Sequence, residues 1–252
     1  MRAELKEWAK KNIVWKGNQH TNKSDRKGHK PEVIVNHISE GSISSLISWF
    51  TSPNNDQSST HFAVAKDGKV YQFLLIENNA WGNGLALENI PKATSKVVKG
   101  KPNANPNWYS VSIEHEGIHE QTKGALTPEQ LESTIMLHQY IREYVKDKWG
   151  NEILADRDHI LGHYEIDPVR KPFCPGEKFP FSTIIERLQV EAAKPVEDWK
   201  DWGINLLGKE KIMSDPAYWK VHKNESIPVW AAAAMMGQII ERIKKIEEKL
   251  GI

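Results

Sequence analysis

Three apolar segments, arranged around one long amphipathic helix, constrain the fold of this chain most strongly. Glu32–Asn36 contains three consecutive β-branched residues, as expected of a strand buried in a sheet. Tyr109–Glu116 alternates between polar and apolar residues, and Ile160-Leu161 forms a short third segment. Strands in this order, with a helix before the last one, predict an α/β fold with a mixed central β-sheet flanked by helices.

The long helix has clear signals at both ends. Thr127–Gln130 has the form of a capping box with proline at the first helical position, and Gly150 is suited to end the helix after Trp149. His138 falls within the apolar stripe, which favours a core histidine over a ligand. That stripe comprises Leu131, Ile135, His138, Ile141, Val145 and Trp149.

Shorter patterns predict the remaining elements of the first 190 residues. Ser42–Phe50 is predicted to be a helix, and His61–Lys66 with Lys69–Leu74 a β-hairpin that turns at Asp67-Gly68. Residues 1–30 are predicted to form a surface helix and an irregular arm. The basic, proline-rich stretch Lys92–Asn107 is predicted to be a mobile flap.

A change in composition near residue 190 predicts a second domain. Residues 1–190 are expected to be one domain, 191–198 a linker, and 199–252 a small helical domain with helices at Val196–Leu207 and Pro228–Leu250. The oligomeric state is left open.

Composition excludes several classes of function. Hydrophobic residues are 39% and charged residues 27% of the 252, as in a soluble globular protein, and the net charge of +1 does not indicate binding to nucleic acid or an anionic membrane. The single cysteine excludes an intrachain disulfide. Neither a membrane span nor a signal peptide is evident, so we expect synthesis in the cytoplasm and no membrane insertion.

The segment His163–Gly176, which reads HYEIDPVRKPFCPG, contains the types of ligand that Zn²⁺ prefers. His163 offers an imidazole and Cys174 a thiolate. His37 follows the first strand as His163 follows the last, and strand ends at one edge of a sheet are where α/β proteins bind ligands. The sequence therefore suggests a zinc site of His37, His163 and Cys174 with an open fourth position. Rival histidines are His20, His29, His61, His115, His119, His159 and His222.

Catalysis also requires a base and a group that stabilises an oxyanion. Glu114 is the candidate base, and Lys171 or Arg170 the candidate cation. Glu116 shares the Glu114 face of its strand, but a structural role for it is favoured over a catalytic one. Three further interpretations concern packing: His61 is expected to pack inside the hairpin, Asp167 to stabilise a turn, and Trp81 either to line a sugar-binding groove or to pack.

Four segments together resemble the zinc N-acetylmuramoyl-L-alanine amidases of the amidase-2 group, which is related to phage T7 lysozyme and the peptidoglycan recognition proteins. They occur in the order found in that family and lie within residues 30–190. The segments are VIVNHIS (33–39), STHFAVAKDGKVYQ (59–72), SVSIEHEG (110–117) and ILGHYEIDPVRKPFCPGEKFPF (160–181).

The resemblance implies a fold, a reaction and a set of roles. His37, His163 and Cys174 would bind zinc, Glu114 would be the catalytic carboxylate that the family carries in its IGIE strand, and Lys171 would be the lysine before the third ligand. The implied reaction cleaves the amide between N-acetylmuramic acid and the L-alanine of the peptidoglycan stem peptide. Trp81, Thr60 and Arg170 would contact the substrate.

Three departures from the family pattern qualify these roles. Two residues separate Lys171 from the third ligand where many members have one, so Arg170 is an alternative cation. Thr60 replaces a tyrosine and Gly82 a histidine of the family. Two other functions stay open: a recognition module without catalysis, and a zinc peptidase acting within the stem peptide. As in phage lysins, release to the wall through a holin-type pore is expected. The resemblance makes residues 1–190 the catalytic domain, and the second domain is expected either to bind the cell wall or to mediate self-association.

Overall fold

A computed structural model describes residues 1–193, 204, 206–213, 215–222 and 229–250. The chain separates into two compact units, Met1–Ala193 and Lys194–Ile252. Residues 191–193 are still helical, so the predicted linker at 191–198 begins too early. The rest of that linker, and most of the helix predicted at Val196–Leu207, lie outside the described residues.

Six strands, counted over the described residues, form one mixed sheet in the first unit. The strands are β1 (Ile13–Trp15), β2 (Val33–Ile38), β3 (Phe62–Val64), β4 (Val70–Gln72), β5 (Ser110–His115) and β6 (Ile160–Gly162). Their order is β1-β4-β3-β5-β2-β6, and β3–β4 is the antiparallel pair. Because β2 pairs in parallel with both β5 and β6, these three strands end at the same edge of the sheet. The predicted mixed α/β fold is confirmed.

Helices flank this sheet. They are α1 (Ala3–Asn12), α2 (Ile43–Phe50), α3 (Lys96–Lys99), α4 (His119–Thr122), α5 (Pro128–Trp149), α6 (His163–Ile166) and α7 (Phe181–Ala193), with 3-10 turns at Leu87–Lys92 and Pro106–Tyr109. The buried side of α5 covers one face of the sheet. There Leu137, Ile141 and Val145 pack with residues of β2 and β5 in one buried cluster.

The predicted ends of α5 are confirmed, but its capping box is only half formed. The Thr127 hydroxyl accepts a hydrogen bond from the Gln130 N–H at 3.1 Å, and Gly150 adopts a positive φ of 66° after the last turn. The Gln130 side chain does not return to the cap. It donates instead to the carbonyls of Val64 and Glu116, and so ties the helix to the sheet.

The opposite face of the sheet is covered by the segment between β4 and β5. Ala93, Val98 and Ala104 from this segment pack with Val33 and Val35 of β2 in a second buried cluster. The prediction of a mobile flap at Lys92–Asn107 is therefore wrong. Lysines and prolines dominate its composition, but its small apolar residues face the sheet, so the segment is part of the core.

The N-terminal arm is also more ordered than predicted. The surface helix is confirmed as α1, but Ile13–Trp15 then joins the edge of the sheet, parallel to β4. Arg26 is buried, and its guanidinium donates to the carbonyls of Ile76, Trp108 and Ser110 at 2.8–3.0 Å. Arg26 therefore fixes the arm to two loops of the domain.

In the second unit, residues 204 and 206–209 are helical, and two further helices are described. A short helix spans Pro216–Val221, and a C-terminal helix spans Val229–Leu250, which confirms the helix predicted at Pro228–Leu250. Among the described residues of either unit, every helix is too short or too polar to cross a membrane.

Candidate metal centre

Two parallel strand ends and one loop bring His37, His163 and Cys174 together. His37 lies near the end of β2, next to the register pair Asn36–Gly162, and His163 follows Gly162 directly. Cys174 comes from the loop after α6. Its carbonyl accepts the N–H of Tyr164 at 2.9 Å, and its Sγ accepts the N–H of Ile38 at 3.4 Å. These two backbone contacts fix the thiol beside both strand ends.

The three side chains point at a common centre. One ligand atom from each residue lies within 4.8 Å of the other two. The Cys174 Sγ is 3.8 Å from the His37 Nδ1, and the centroids of the two imidazole rings are 4.5 Å apart. Two imidazoles and a thiolate are a donor set suited to Zn²⁺, and three protein ligands leave room for a fourth.

Burial prepares the imidazoles as ligands. It lowers the pKa of His37 well below its usual value and that of His163 to about 3, with the positive charge of Lys171 adding to both effects. Neutral imidazoles present lone pairs to a cation. Burial also raises the pKa of the Cys174 thiol to about 12, a value that a coordinated cation would reverse because it deprotonates the thiol. The chemistry of the donor set thus fits a divalent metal.

Groups on the far side of His37 orient its ring. The His37 Nε2 is 3.1 Å from the Ser112 Oγ, so an Nε2–H can donate to this hydroxyl while Nδ1 keeps its lone pair for the centre. The buried Asn83 Oδ1 has no hydrogen-bond partner among the described residues. The Asn83 side chain raises the pKa of His37 and so opposes part of the effect of burial. Asn83 is itself fixed, because its Nδ2 donates to the Ser110 Oγ at 2.8 Å.

Sequence reasoning missed both supporting residues. Ser112 could have been found, because it lies two positions before Glu114 on the same face of β5. Asn83 comes from a loop between distant strands, and no local pattern in the sequence marks its position.

Glu114 lies directly opposite His37 in the register of β2 and β5. Its Oε1 is 4.0 Å from the His37 Nδ1, and its buried Oε2 has no partner among the described residues. Burial raises the pKa of this carboxyl to about 7, Lys171 opposes the shift and Glu40 adds to it. An unpartnered carboxylate beside the three ligand atoms has the position expected of a base acting on a water there.

The two candidate cations differ in their surroundings. Arg170 forms an ion pair with the buried Asp167 and donates to the Gly84 carbonyl at 3.0 Å. No ion-pair partner of Lys171 is found in the part of the chain that the structure describes. Its positive charge lowers the pKa of His163 and of Glu114. The predicted turn at Asp167 is confirmed, since its Oδ1 accepts the Arg170 N–H.

Thr60 does not fit the substrate-binding role that was expected of it. Its side chain is fully buried, and its hydroxyl lies 3.0 Å from the Ser112 carbonyl and 3.1 Å from the Phe62 carbonyl. This role is therefore corrected to a structural one. Trp81 is half-buried, with its Nε1–H donating to the Ser24 Oγ at 3.0 Å, and its contact with substrate stays a prediction.

His61, His138 and Glu116, which the sequence analysis also considered, have structural contacts. His61 is packed as expected: its Nδ1 accepts the Ser112 N–H, and its Nε2 lies 3.0 Å from the Asn78 carbonyl. His138 is a core histidine of α5, as predicted. Glu116 accepts the N–H groups of Ile43 and Lys66, which confirms its structural role.

Comparison with known proteins relates this site to one family. The family model described as N-acetylmuramoyl-L-alanine amidase matches residues 27–177, which is more than half of the chain. N-acetylmuramoyl-L-alanine amidase A of Achromobacter lyticus is 24% identical over 180 residues, which cover 67% of this chain and 89% of that protein.

Two solved structures are also similar to this chain. The amidase LysC from Clostridium intestinale is 20% identical, with a TM-score of 0.45, over 70% of this chain and 97% of that one. The Staphylococcus aureus hydrolase AmiA is 14% identical, with a TM-score of 0.47, over 78% of this chain and 95% of that one. On the evidence of the family match, the chain belongs to the amidase-2 family of N-acetylmuramoyl-L-alanine amidases, enzymes whose substrate is peptidoglycan.

Proposed function

We propose that the chain is a zinc enzyme that hydrolyses the amide between the lactyl group of N-acetylmuramic acid and the L-alanine of the stem peptide. One observation carries the proposal: ligand atoms of His37, His163 and Cys174 lie within 4.8 Å of one another. They do so at the sheet edge of a chain that belongs to the amidase family. When bound, zinc supplies the Lewis acidity that polarises a carbonyl and makes hydroxide available near neutral pH.

In this proposal Glu114 moves the proton. Its carboxylate takes a proton from the attacking water as the new carbon–oxygen bond forms. It then gives that proton to the amide nitrogen as the carbon–nitrogen bond breaks, so that the products are a lactyl carboxylate and a free amino terminus on L-alanine. Its position suits both transfers, because Oε1 lies 4.0 Å from the His37 Nδ1 and Oε2 has no partner among the described residues.

Lys171 is the proposed source of positive charge for the oxyanion. Arg170 is less suited to this role, because its guanidinium already binds Asp167 and the Gly84 carbonyl. Lys171 is exposed, and its charge reaches His163, Glu114 and Cys174. An ammonium near the scissile carbonyl would stabilise the negative charge that develops on its oxygen.

The products decide the reaction. Purified cell walls are digested with the zinc-loaded protein, and the soluble fragments are identified by mass spectrometry. We expect sugar chains free of peptide together with peptides that begin with L-alanine. Sugars that keep part of the stem peptide would indicate a peptidase, and wall binding without any release would indicate a recognition module.

Glu114→Gln tests the assignment of the base. We expect this variant to lose about 10²–10⁴-fold in kcat, because the glutamine side chain cannot accept a proton from the attacking water. Its zinc content should stay unchanged. Glu88→Gln, at an exposed position of a 3-10 turn, is the matched control and should retain full activity. Near-normal kcat in Glu114→Gln would contradict the assignment.

Release to the wall through a pore made by another protein stays a prediction.

A further inference from the structure

The C-terminal helix Val229–Leu250 carries an uninterrupted heptad pattern. Apolar residues occur at alternating intervals of three and four, at Val229, Ala232, Met236, Ile239, Ile243, Ile246 and Leu250. Residues 229–236 are apolar throughout, so the spacing is selective from Met236 onward. In a heptad written abcdefg they occupy a and d, the positions that form the seam of a coiled coil. From residue 237 onward, the positions opposite the seam are Gly237, Gln238, Glu241, Lys244, Lys245 and Glu248.

This stripe is exposed to solvent where its side chains are described. Met236 is 58% exposed, Ile239 38% and Ile243 49%, and the adjacent Ile240 at position e is 52% exposed. Four large apolar side chains in one row on a helix are a surface that another helix would cover. Apolar residues at a and d, flanked here by Ile240 at e, are the pattern expected when that helix is part of a coiled coil.

We propose that this stripe joins copies of the same chain in a parallel coiled coil. Arg242 lies at position g and Glu247 at position e of the following heptad. In a parallel arrangement a residue at g faces the e residue five positions later on the neighbouring helix, so Arg242 of each copy meets Glu247 of the next. An antiparallel arrangement centred on this region would instead bring Arg242 close to its own counterpart, where like charges repel.

A contact within the chain is compatible with this pairing. The Arg242 Nη1 donates to the Glu210 Oε2 at 3.2 Å, and Nη2 donates to the Glu210 carbonyl. A guanidinium has five N–H donors, so its Nε–H and the second hydrogens of both terminal nitrogens stay available for Glu247 of another copy. Glu247 is exposed, as such a pair requires.

The residues at a and d also bear on the number of chains. β-Branched residues occupy both kinds of position, with Ile243 at a and Ile239 and Ile246 at d. Isoleucine at both positions favours three or four strands over two. Three heptads form a short interface, so we expect association to be reversible and to depend on concentration.

Sedimentation equilibrium of the full chain over a range of concentrations tests the proposal. The wild type should approach a mass of three or four chains, and Ile239→Glu with Ile243→Glu should remain monomeric. Gln238→Glu is the matched control, since it adds a charge at an exposed position opposite the seam and should associate as the wild type does. A monomeric wild type at every concentration, or a double variant that associates normally, would overturn the proposal.

A second variant guards against simple unfolding of the helix. Ile243→Asn places a polar residue at one a position, which coiled coils accept while their oligomer order changes, so we expect a dimer with unchanged circular dichroism. Binding of each variant to cell walls is measured in parallel. If the double variant lost wall binding while the wild type was monomeric, the stripe would be a wall-binding surface and the proposal would be wrong.

Discussion

The His37 ring shows how a ligand depends on its neutral neighbours. Only one imidazole nitrogen can face the centre, and the 3.1 Å contact between Nε2 and the Ser112 Oγ determines which one does. A histidine whose second nitrogen donates its N–H to a fixed partner keeps its tautomer and ring orientation, and this strengthens metal binding. Ser112 therefore supports the proposed zinc site without contacting the metal.

Ser112→Ala should weaken zinc binding by about 10–100-fold, because the ring loses the acceptor that fixes its tautomer. The measurement is a competition titration with a chelator of known affinity, which reports metal binding independently of activity. Ser182→Ala, at an exposed position in α7, is the control. Equal zinc affinities in Ser112→Ala and the control would show that Ser112 does not orient the ligand.

His138 has a separate consequence for stability. Burial lowers its pKa to about 4 from the usual 6.5. Between these values the unfolded chain binds a proton that the folded chain does not, so the free energy of unfolding falls as the pH falls from about 6.5 to about 4. The contribution of this group is about 1 kcal/mol for each pH unit within that window.

Urea unfolding at pH 6 and pH 5, with a chelator present, tests this linkage. His138→Asn keeps a donor for the Thr134 carbonyl that the ring now contacts, but it removes the titrating group. We expect the variant to lose less stability between the two pH values than the wild type, by about 1 kcal/mol. His20→Asn, at an exposed position, should behave as the wild type. An unchanged pH dependence in His138→Asn would mean that the buried ring does not contribute.

Among the elements, strands β2, β5 and β6 were the most predictable. Their β-branched or alternating residues identify them, and placing His37 and His163 after strand ends brought both to one edge of the sheet. Cys174 could be assigned as a ligand from its chemistry. Its position beside the strands could not be predicted, because that depends on backbone contacts with Ile38 and Tyr164.

The cover over the second face of the sheet was not predictable for a physical reason. Its apolar residues are small and separated by lysines, prolines and asparagines, so they follow neither the helical nor the strand period. Short helical turns orient these residues toward the sheet: α3, capped by Ser95, carries Val98, and Ala93 follows the 3-10 turn Leu87–Lys92. Tertiary packing determines this segment, and local propensity does not reveal it.

Val98→Ala tests whether this cover is core or flap. Val98 is fully buried, so removing two methyl groups should lower the free energy of unfolding by roughly 1.5–3 kcal/mol. Val97→Ala removes the same groups from a half-buried neighbour and should have a smaller effect. Chemical denaturation provides the measurement. Equal, near-zero effects in both variants would support the flap that the sequence suggested.

For the whole molecule, composition and the shift near residue 190 indicated two parts, and the chain does separate at Ala193. The catalytic role of the first part rests on the family match over residues 27–177 and on the geometry of the three ligands. The second part lies beyond that match. Its heptad pattern predicts self-association, which would present several catalytic units to one insoluble substrate and raise the apparent affinity for it.

X-ray absorption at the zinc edge of the purified protein is the most direct test of the metal centre. We predict one zinc per chain with two nitrogen neighbours at about 2.0–2.1 Å and one sulfur neighbour at about 2.3 Å. The sulfur signal should disappear in Cys174→Ser, together with the release of stem peptides from cell walls. A zinc without a sulfur neighbour in the wild type, or full activity after exhaustive chelation, would contradict the account.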